Sequence, residues 1–131
     1  MLLIKAVFFF KIRPGNGGCF ISGGFATHDK QLRPLAYESG CRVIAVQYRL
    51  APEQTFPAAH NDAERGAQII RLHAEPLGVD TSRITLAGDS AGGNLALVTA
   101  LRLKAAGGWQ PAQLILIYPM LDATAASASY V

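Results

Sequence analysis

The sequence predicts an α/β fold, a four-stranded, mostly parallel sheet with flanking helices. Three observations carry this. Segments of strand character alternate with helical segments along the chain, without repeats or low-complexity tracts, which is the signature of a layered α/β architecture. The second strand segment is β-branched and apolar on both faces, as expected of a parallel strand covered by helices on both sides. Finally, hydrophobic residues make up 50% of the 131 residues and charged residues only 16%, against about 25% charged in a typical soluble protein. That composition excludes a disordered chain and calls for a large interior.

The elements follow in order. Residues 2–10 form an apolar, β-rich run that reads as a buried strand. A glycine-laden loop follows, from Pro14-Gly15-Asn16-Gly17-Gly18-Cys19-Phe20 through Gly23-Gly24. The first helix is expected over residues 29–38 and is stopped by Ser39-Gly40. Pro34 lies inside it and costs about 3 kcal/mol in a helix interior, so a late start or a kink is expected. Residues 42–48 give the second strand. After a loop over 49–56, Pro57 takes the first-turn position that proline favours, and the second helix runs to Ala74. Ala59, Ala63, Ala67, Ile70 and Ala74 recur at spacings of three and four, which makes one buried stripe. The third strand, residues 83–88, enters a tight turn at Asp89-Ser90-Ala91. The helix beyond it runs to Ala106 and is apolar nearly all round, so it is expected to be buried. Gly107-Gly108 caps it, and residues 113–118 form the fourth strand.

Composition also narrows the function classes. The net charge is +3, with basic residues scattered rather than gathered into the stripe or patch a nucleic-acid footprint requires. Nucleic acid is therefore not an expected partner. Cys19 and Cys41 are too few for a disulfide scaffold and lack the pairing of a zinc site, so no metal is expected. Reduced thiols point to a cytoplasmic protein. The N-terminal apolar run is ten residues long and interrupted by Lys5, well short of the roughly 20 residues needed to span a bilayer. A dinucleotide site fails because a glycine would be needed at position 20, which is Phe20, and no phosphate-loop signature exists. No cofactor is expected.

Gly88-Asp89-Ser90-Ala91-Gly92 fits the G-x-S-x-G pattern of a nucleophile elbow. In that device a serine sits on a strained turn between strand and helix, and glycines let the two segments pass closely. The helix N-terminus adds backbone N–H groups and a positive dipole end. The required context of strand, motif and helix is present, with residues 84–87 before and 94–103 after. The alternative is an N-cap serine in a glycine-rich turn. Asn16-Gly17-Gly18-Cys19-Phe20 offers a second constellation, since consecutive small residues can turn their N–H groups toward an oxyanion, each donor being worth about 3–4 kcal/mol. The alternative there is a glycine loop with no further role.

Together these motifs resemble the hormone-sensitive-lipase-like esterases, a branch of the α/β-hydrolases. Gly17-Gly18-Cys19-Phe20 stands where that family writes H-G-G-G-F. Tyr48-Arg49-Leu50-Ala51-Pro52-Glu53 with Phe56-Pro57-Ala58-Ala59, Gly88-Asp89-Ser90-Ala91-Gly92-Gly93-Asn94, and Tyr118-Pro119-Met120-Leu121-Asp122 complete the likeness. The resemblance implies a carboxylic ester hydrolase acting on a small-molecule ester. Ser90 would be the nucleophile, and the N–H groups of Gly18, Cys19 and Ala91 the oxyanion hole, with Gly17, Gly88, Asp89 and Gly92 as supporting motif residues. It further implies a partial, truncated α/β-hydrolase domain over 16–131, with strands in the spatial order second, first, third, fourth. Both outer strands would then be exposed edges through which the chain self-associates. Residues 1–15 do not share the likeness and read as an unrelated or frame-shifted N-terminus with a strand in it.

Two departures stand out. The family's histidine before the glycines is Asn16, and its third glycine is Cys19. The triad is also incomplete: α/β-hydrolases order it serine, acid, histidine, yet His28, His60 and His73 all precede Ser90. Asp122 is the only carboxylate side chain after Asp89, and the resemblance makes it a strand-end residue. His60 and His73 are expected on a partly exposed helix face, and His28 at a helix start. An acid and a histidine beyond Val131 would be needed, because a serine without a base is a poor nucleophile. The alternative function is a non-catalytic remnant or a binding module that keeps the hydrolase pocket.

Overall fold

A computed structural model of the chain describes residues 4–10 and 25–122, with side-chain surroundings over 32–122. Seven elements alternate: β1 (Ile4–Phe10), α1 (Phe25–Ser39), β2 (Arg42–Val46), α2 (Ala58–Leu72), β3 (Val79–Asp89), α3 (Ala91–Ala105) and β4 (Gln113–Ile117). The strands form one sheet in the order β2-β1-β3-β4, and every pairing is parallel. This is the expected spatial order, with β1 and β3 in the middle.

The two faces of the sheet are covered differently. Ile84 and Leu86 point from β3 into a core shared with Ala63, Ala67 and Ile70 of α2 and Leu95 and Ala96 of α3. The alternate residue Ala87 faces the other side, against Leu32, Leu35, Cys41 and Val43. Side chains alternate across a strand, so one strand serves both layers. The alanine stripe of α2 is buried as the spacing predicts, and its small side chains let α2 and α3 lie close together.

β2 ends at Val46 and α2 at Leu72, each two residues before the expected end, and three further elements differ from the sequence expectation. α1 begins at Phe25 and continues through Pro34. Proline's fixed φ suits a helix, and its missing N–H removes a single intrahelical bond. β3 starts earlier, at Val79; the register jumps from Ile4↔Val79 to Ala6↔Ile84. The extra residues fold into a side-chain turn in which the Ser82 N–H and hydroxyl both donate to Asp80 Oδ1, at 2.9 and 2.6 Å. Finally, α3 is not buried all round. Leu95, Ala96, Thr99, Ala100 and Leu103 are buried, but Leu101 is 56% exposed. The end of α3 follows the sequence: Gly107 takes φ 65°, and the N–H groups of Gly107 and Gly108 return to Lys104 and Leu103 carbonyls at 3.0 and 2.9 Å. That pattern is a Schellman cap, and its left-handed residue favours glycine.

Candidate active site

The carboxyl ends of the strands fall together. Phe10 pairs with both Val46 and Gly88, and Asp89 pairs with Ile117. Ser90 follows directly, between β3 and α3, with φ 54° and ψ −118°. A non-glycine residue there is strained by about 1–3 kcal/mol and persists only where its surroundings over-determine it. They do: the Ser90 N–H donates to the Ile117 carbonyl at 2.9 Å, and the Ser90 carbonyl accepts from Met120 N–H at 3.0 Å and Asn94 N–H at 3.1 Å.

The glycines explain how strand and helix come so close. A Cβ on Gly88 would lie 2.3 Å from the carbonyl carbon and oxygen of Gly92, and one on Gly93 would lie 2.9 Å from Pro119 Cβ. Ala91 is the first residue of α3, where a backbone N–H has no intrahelical acceptor. Gly88, Ala91 and Gly92 are buried, while Asp89 and Ser90 are half-buried. Gly17, Gly18 and Cys19 lie outside the described residues; the chain leaves β1 toward them at Phe10, beside Gly88.

Around the turn stand motif residues to which the sequence assigned no role. Tyr48 is 4% exposed; burial pushes its hydroxyl to a higher pKa, and the Asp89 charge adds to this. The Tyr118 hydroxyl lies 3.5 Å from the same carboxylate. Behind Tyr48, Arg49 grips Asp62 of α2 with Nε and Nη2, both at 2.8 Å, and with its backbone N–H at 2.9 Å. These bonds hold the Asp62 carboxyl below its ordinary range.

The three histidines separate. His28 falls in the first turn of α1, and His73 is the exposed C-cap of α2. His60 lies on a partly exposed helix face, as expected, but it has specific partners there. It is half-buried, edge-on to Phe56 with ring centroids 5.1 Å apart, and its Nε2 lies 3.1 Å from Asn94 Oδ1. The reason is tertiary: α2 packs on α3, which turns this side chain toward the first turns of α3. Asn94 carried a faint signal in the sequence, being a poor helix former one turn after Ser90.

Among the described residues no group of three or more His, Cys, Asp or Glu side chains is placed to hold a metal ion. No described helix is long and apolar enough to cross a membrane.

A family model described as the α/β-hydrolase fold matches residues 16–131. The chain belongs to this family. Within it, the motifs place this α/β-hydrolase chain in the hormone-sensitive-lipase-like branch. It is 41% identical over 104 residues to Esterase LipI of Mycobacterium tuberculosis, covering 79% of this chain and 32% of that protein. Against an ethyl acetate hydrolase of Pseudomonas putida the identity is 40% over 110 residues, 83% of this chain and 35% of the other. Among solved structures, an ester hydrolase from the metagenome of Lake Arreo superposes with a TM-score of 0.89 at 41% identity, covering 98% of this chain and 39% of that one. An esterase of the archaeon Pyrobaculum calidifontis gives 0.82 at 45% identity, over 88% and 36% of the two chains. The hydrolase chain thus spans about a third to two-fifths of the length of these relatives.

Proposed function

We propose that this chain carries the nucleophile part of a carboxylic ester hydrolase site, with Ser90 as nucleophile. The observation that carries the reading is the backbone of Ser90, φ 54° and ψ −118° at a strand-to-helix turn, in a chain similar to named esterases. In this reading the Ser90 oxygen bonds to the ester carbonyl carbon, its proton passes to a base, and the alkoxide oxygen leaves as an alcohol. Water then attacks the acyl-serine, releases the carboxylic acid and returns the proton to the serine. The N–H groups of Ala91, Gly18 and Cys19 hold the oxyanion in both steps. Gly17, Gly88, Asp89 and Gly92 shape the turn and loop. The substrate is a small-molecule ester, and the reaction draws on no cofactor. The base and its acid partner come from outside these 131 residues, since no histidine follows Ser90.

The reading extends to setting and partners. A free Cys41 fits a reducing, cytoplasmic environment. The outer strands of the sheet fit self-association.

Covalent labelling by a fluorophosphonate probe, located by mass spectrometry, tests the assignment. The expected result is slow labelling at Ser90, absent in Ser90→Ala, with no turnover of p-nitrophenyl acetate above that variant. Removal of one triad member leaves only the roughly 10³–10⁴-fold advantage over water that binding and the oxyanion hole provide. The second reading, a binding module without chemistry, is favoured by the position of all three histidines before Ser90. A chain never labelled, even at high probe excess, would establish it and remove the first.

A further inference from the structure

Ser90 is held in a costly backbone conformation, and one of the three bonds that hold it leads on to a single side chain. Met120 donates its N–H to the Ser90 carbonyl at 3.0 Å. Its own carbonyl accepts from Asn94 Nδ2 at 2.8 Å. Asn94 in turn presents Oδ1 to His60 Nε2 at 3.1 Å. Three separate elements therefore meet at one carboxamide: α2 through His60, α3 through Asn94, and the segment after β4 through Met120.

The donor and acceptor rules leave one arrangement. A backbone carbonyl only accepts, so the NH₂ of Asn94 must face Met120. The amide oxygen must then face His60, and an oxygen only accepts. His60 Nε2 must carry the hydrogen.

We infer that Asn94, oriented by His60, is a positioning residue for Ser90, and that His60 is a fixed Nε2–H donor and not the serine's base. The inference rests on the reading of Ser90 as nucleophile for its functional meaning, while its geometry stands apart from that reading. It answers the question the sequence raises most sharply. His60 is the histidine that joins the network, yet its Nε2 carries the proton that points at Asn94. Burial and the Arg102 guanidinium both favour neutral His60, against the Asn94 bond, and the neutral ring satisfies the same contact. Phe56 lies edge-on to the same ring, with centroids 5.1 Å apart. The network also gives a reason for asparagine at a helical position where its propensity is poor.

Two measurements on the full chain test this. Nitrogen-15 and carbon-13 NMR of the histidine rings, in solution or by magic-angle spinning for an associated sample, reads the tautomer of neutral His60. The Nε2–H form is expected; a predominant Nδ1–H form overturns the inference without any variant. Amide hydrogen exchange then follows the N–H groups of Ser90 and Met120. Asn94→Ala should speed exchange at both by about tenfold, the scale of one lost hydrogen bond. His60→Ala should do so to a smaller degree, and His60→Gln, which restores a donor toward Asn94, should recover protection. Unchanged exchange at Met120 in Asn94→Ala overturns the positioning role, as does His60→Gln behaving like His60→Ala. Failure of Ser90 to react with the fluorophosphonate is a different result. It removes the nucleophile and leaves the tautomer and exchange data to decide the brace.

Discussion

Ser90 combines a side chain that the proposed chemistry requires with a backbone that only glycine adopts at ease. The two demands separate on mutation. Ser90→Ala and Ser90→Gly both delete the hydroxyl, but only glycine relieves the strain at φ 54°. Ser90→Gly should therefore be more stable than Ser90→Ala by about 1 kcal/mol, the strain relieved less the extra entropy of an unfolded glycine. Urea unfolding of the two variants measures it, and equal midpoints would mean an unstrained turn. The glycines divide in the same way. A Cβ added to Gly88 would lie 2.3 Å from backbone atoms of Gly92, which cannot move without shifting α3, so Gly88→Ala should cost about 3 kcal/mol or more. A Cβ added to Gly66 would lie 2.8 Å from Val46 Cγ1. There a side-chain methyl can shift, and the gain of about 1 kcal/mol in helix propensity opposes the crowding. Gly66→Ala should be close to neutral, and thermal melts of the two variants make the comparison.

α2 is tied to the site at both ends of its first two turns. His60 reaches α3, and Asp62 receives the forked bonds of Arg49, in the stretch that runs on from β2. The Asp62 carboxyl titrates below its ordinary value, chiefly through the Arg49 hydrogen bond. A proton therefore binds the unfolded chain more readily than the folded one. The stabilisation is present in full above the unfolded value, about 3.9, and is lost as pH falls through the lower folded value. Arg49 is 54% exposed along its side chain, so solvent screening keeps the contribution small. At pH 7 the chain should exceed Asp62→Asn in stability by a small margin, and the gap should close as the medium is acidified below the unfolded value. Urea melts across the acid range would show it. A gap that widens with acid would assign the stabilisation to another group. α3 shows a different economy: its buried side is small and close-packed, but Leu101 projects outward at 56% exposure, a residue with no described neighbour layer to cover it.

At the scale of the molecule, the sheet is open at both edges among the described residues. β2 and β4 each pair with one strand among the described residues. On β4, Leu114, Ile115 and Ile117 are 37%, 45% and 40% exposed, so both faces of an apolar strand meet water beside unpaired backbone groups. Such an edge recruits other chains. The chain should associate at tens of micromolar, roughly the concentration at which exposed edges meet, and Ile115→Lys should shift it toward monomer by charging the edge. Light scattering coupled to size exclusion reads both. A dispersed wild-type monomer would show that the edge is already protected.

The sequence by itself determined the order of elements, the alanine stripe of α2, the glycine cap of α3, and the turn that carries Ser90. Each of these is local: periodicity, a left-handed glycine or a strand-to-helix junction needs only near neighbours along the chain. The resemblance added the strand order, because its motifs belong to an architecture whose topology is already fixed. The sequence could not reach what depends on elements meeting across the fold. The bulged start of β3 rests on its pairing with β1, which overrides local propensity. The role of His60 is the clearest case. As a residue it reads as a helix-face histidine, and only the packing of α2 on α3 brings it to Asn94, where a carbonyl of Met120 dictates which atom carries the proton.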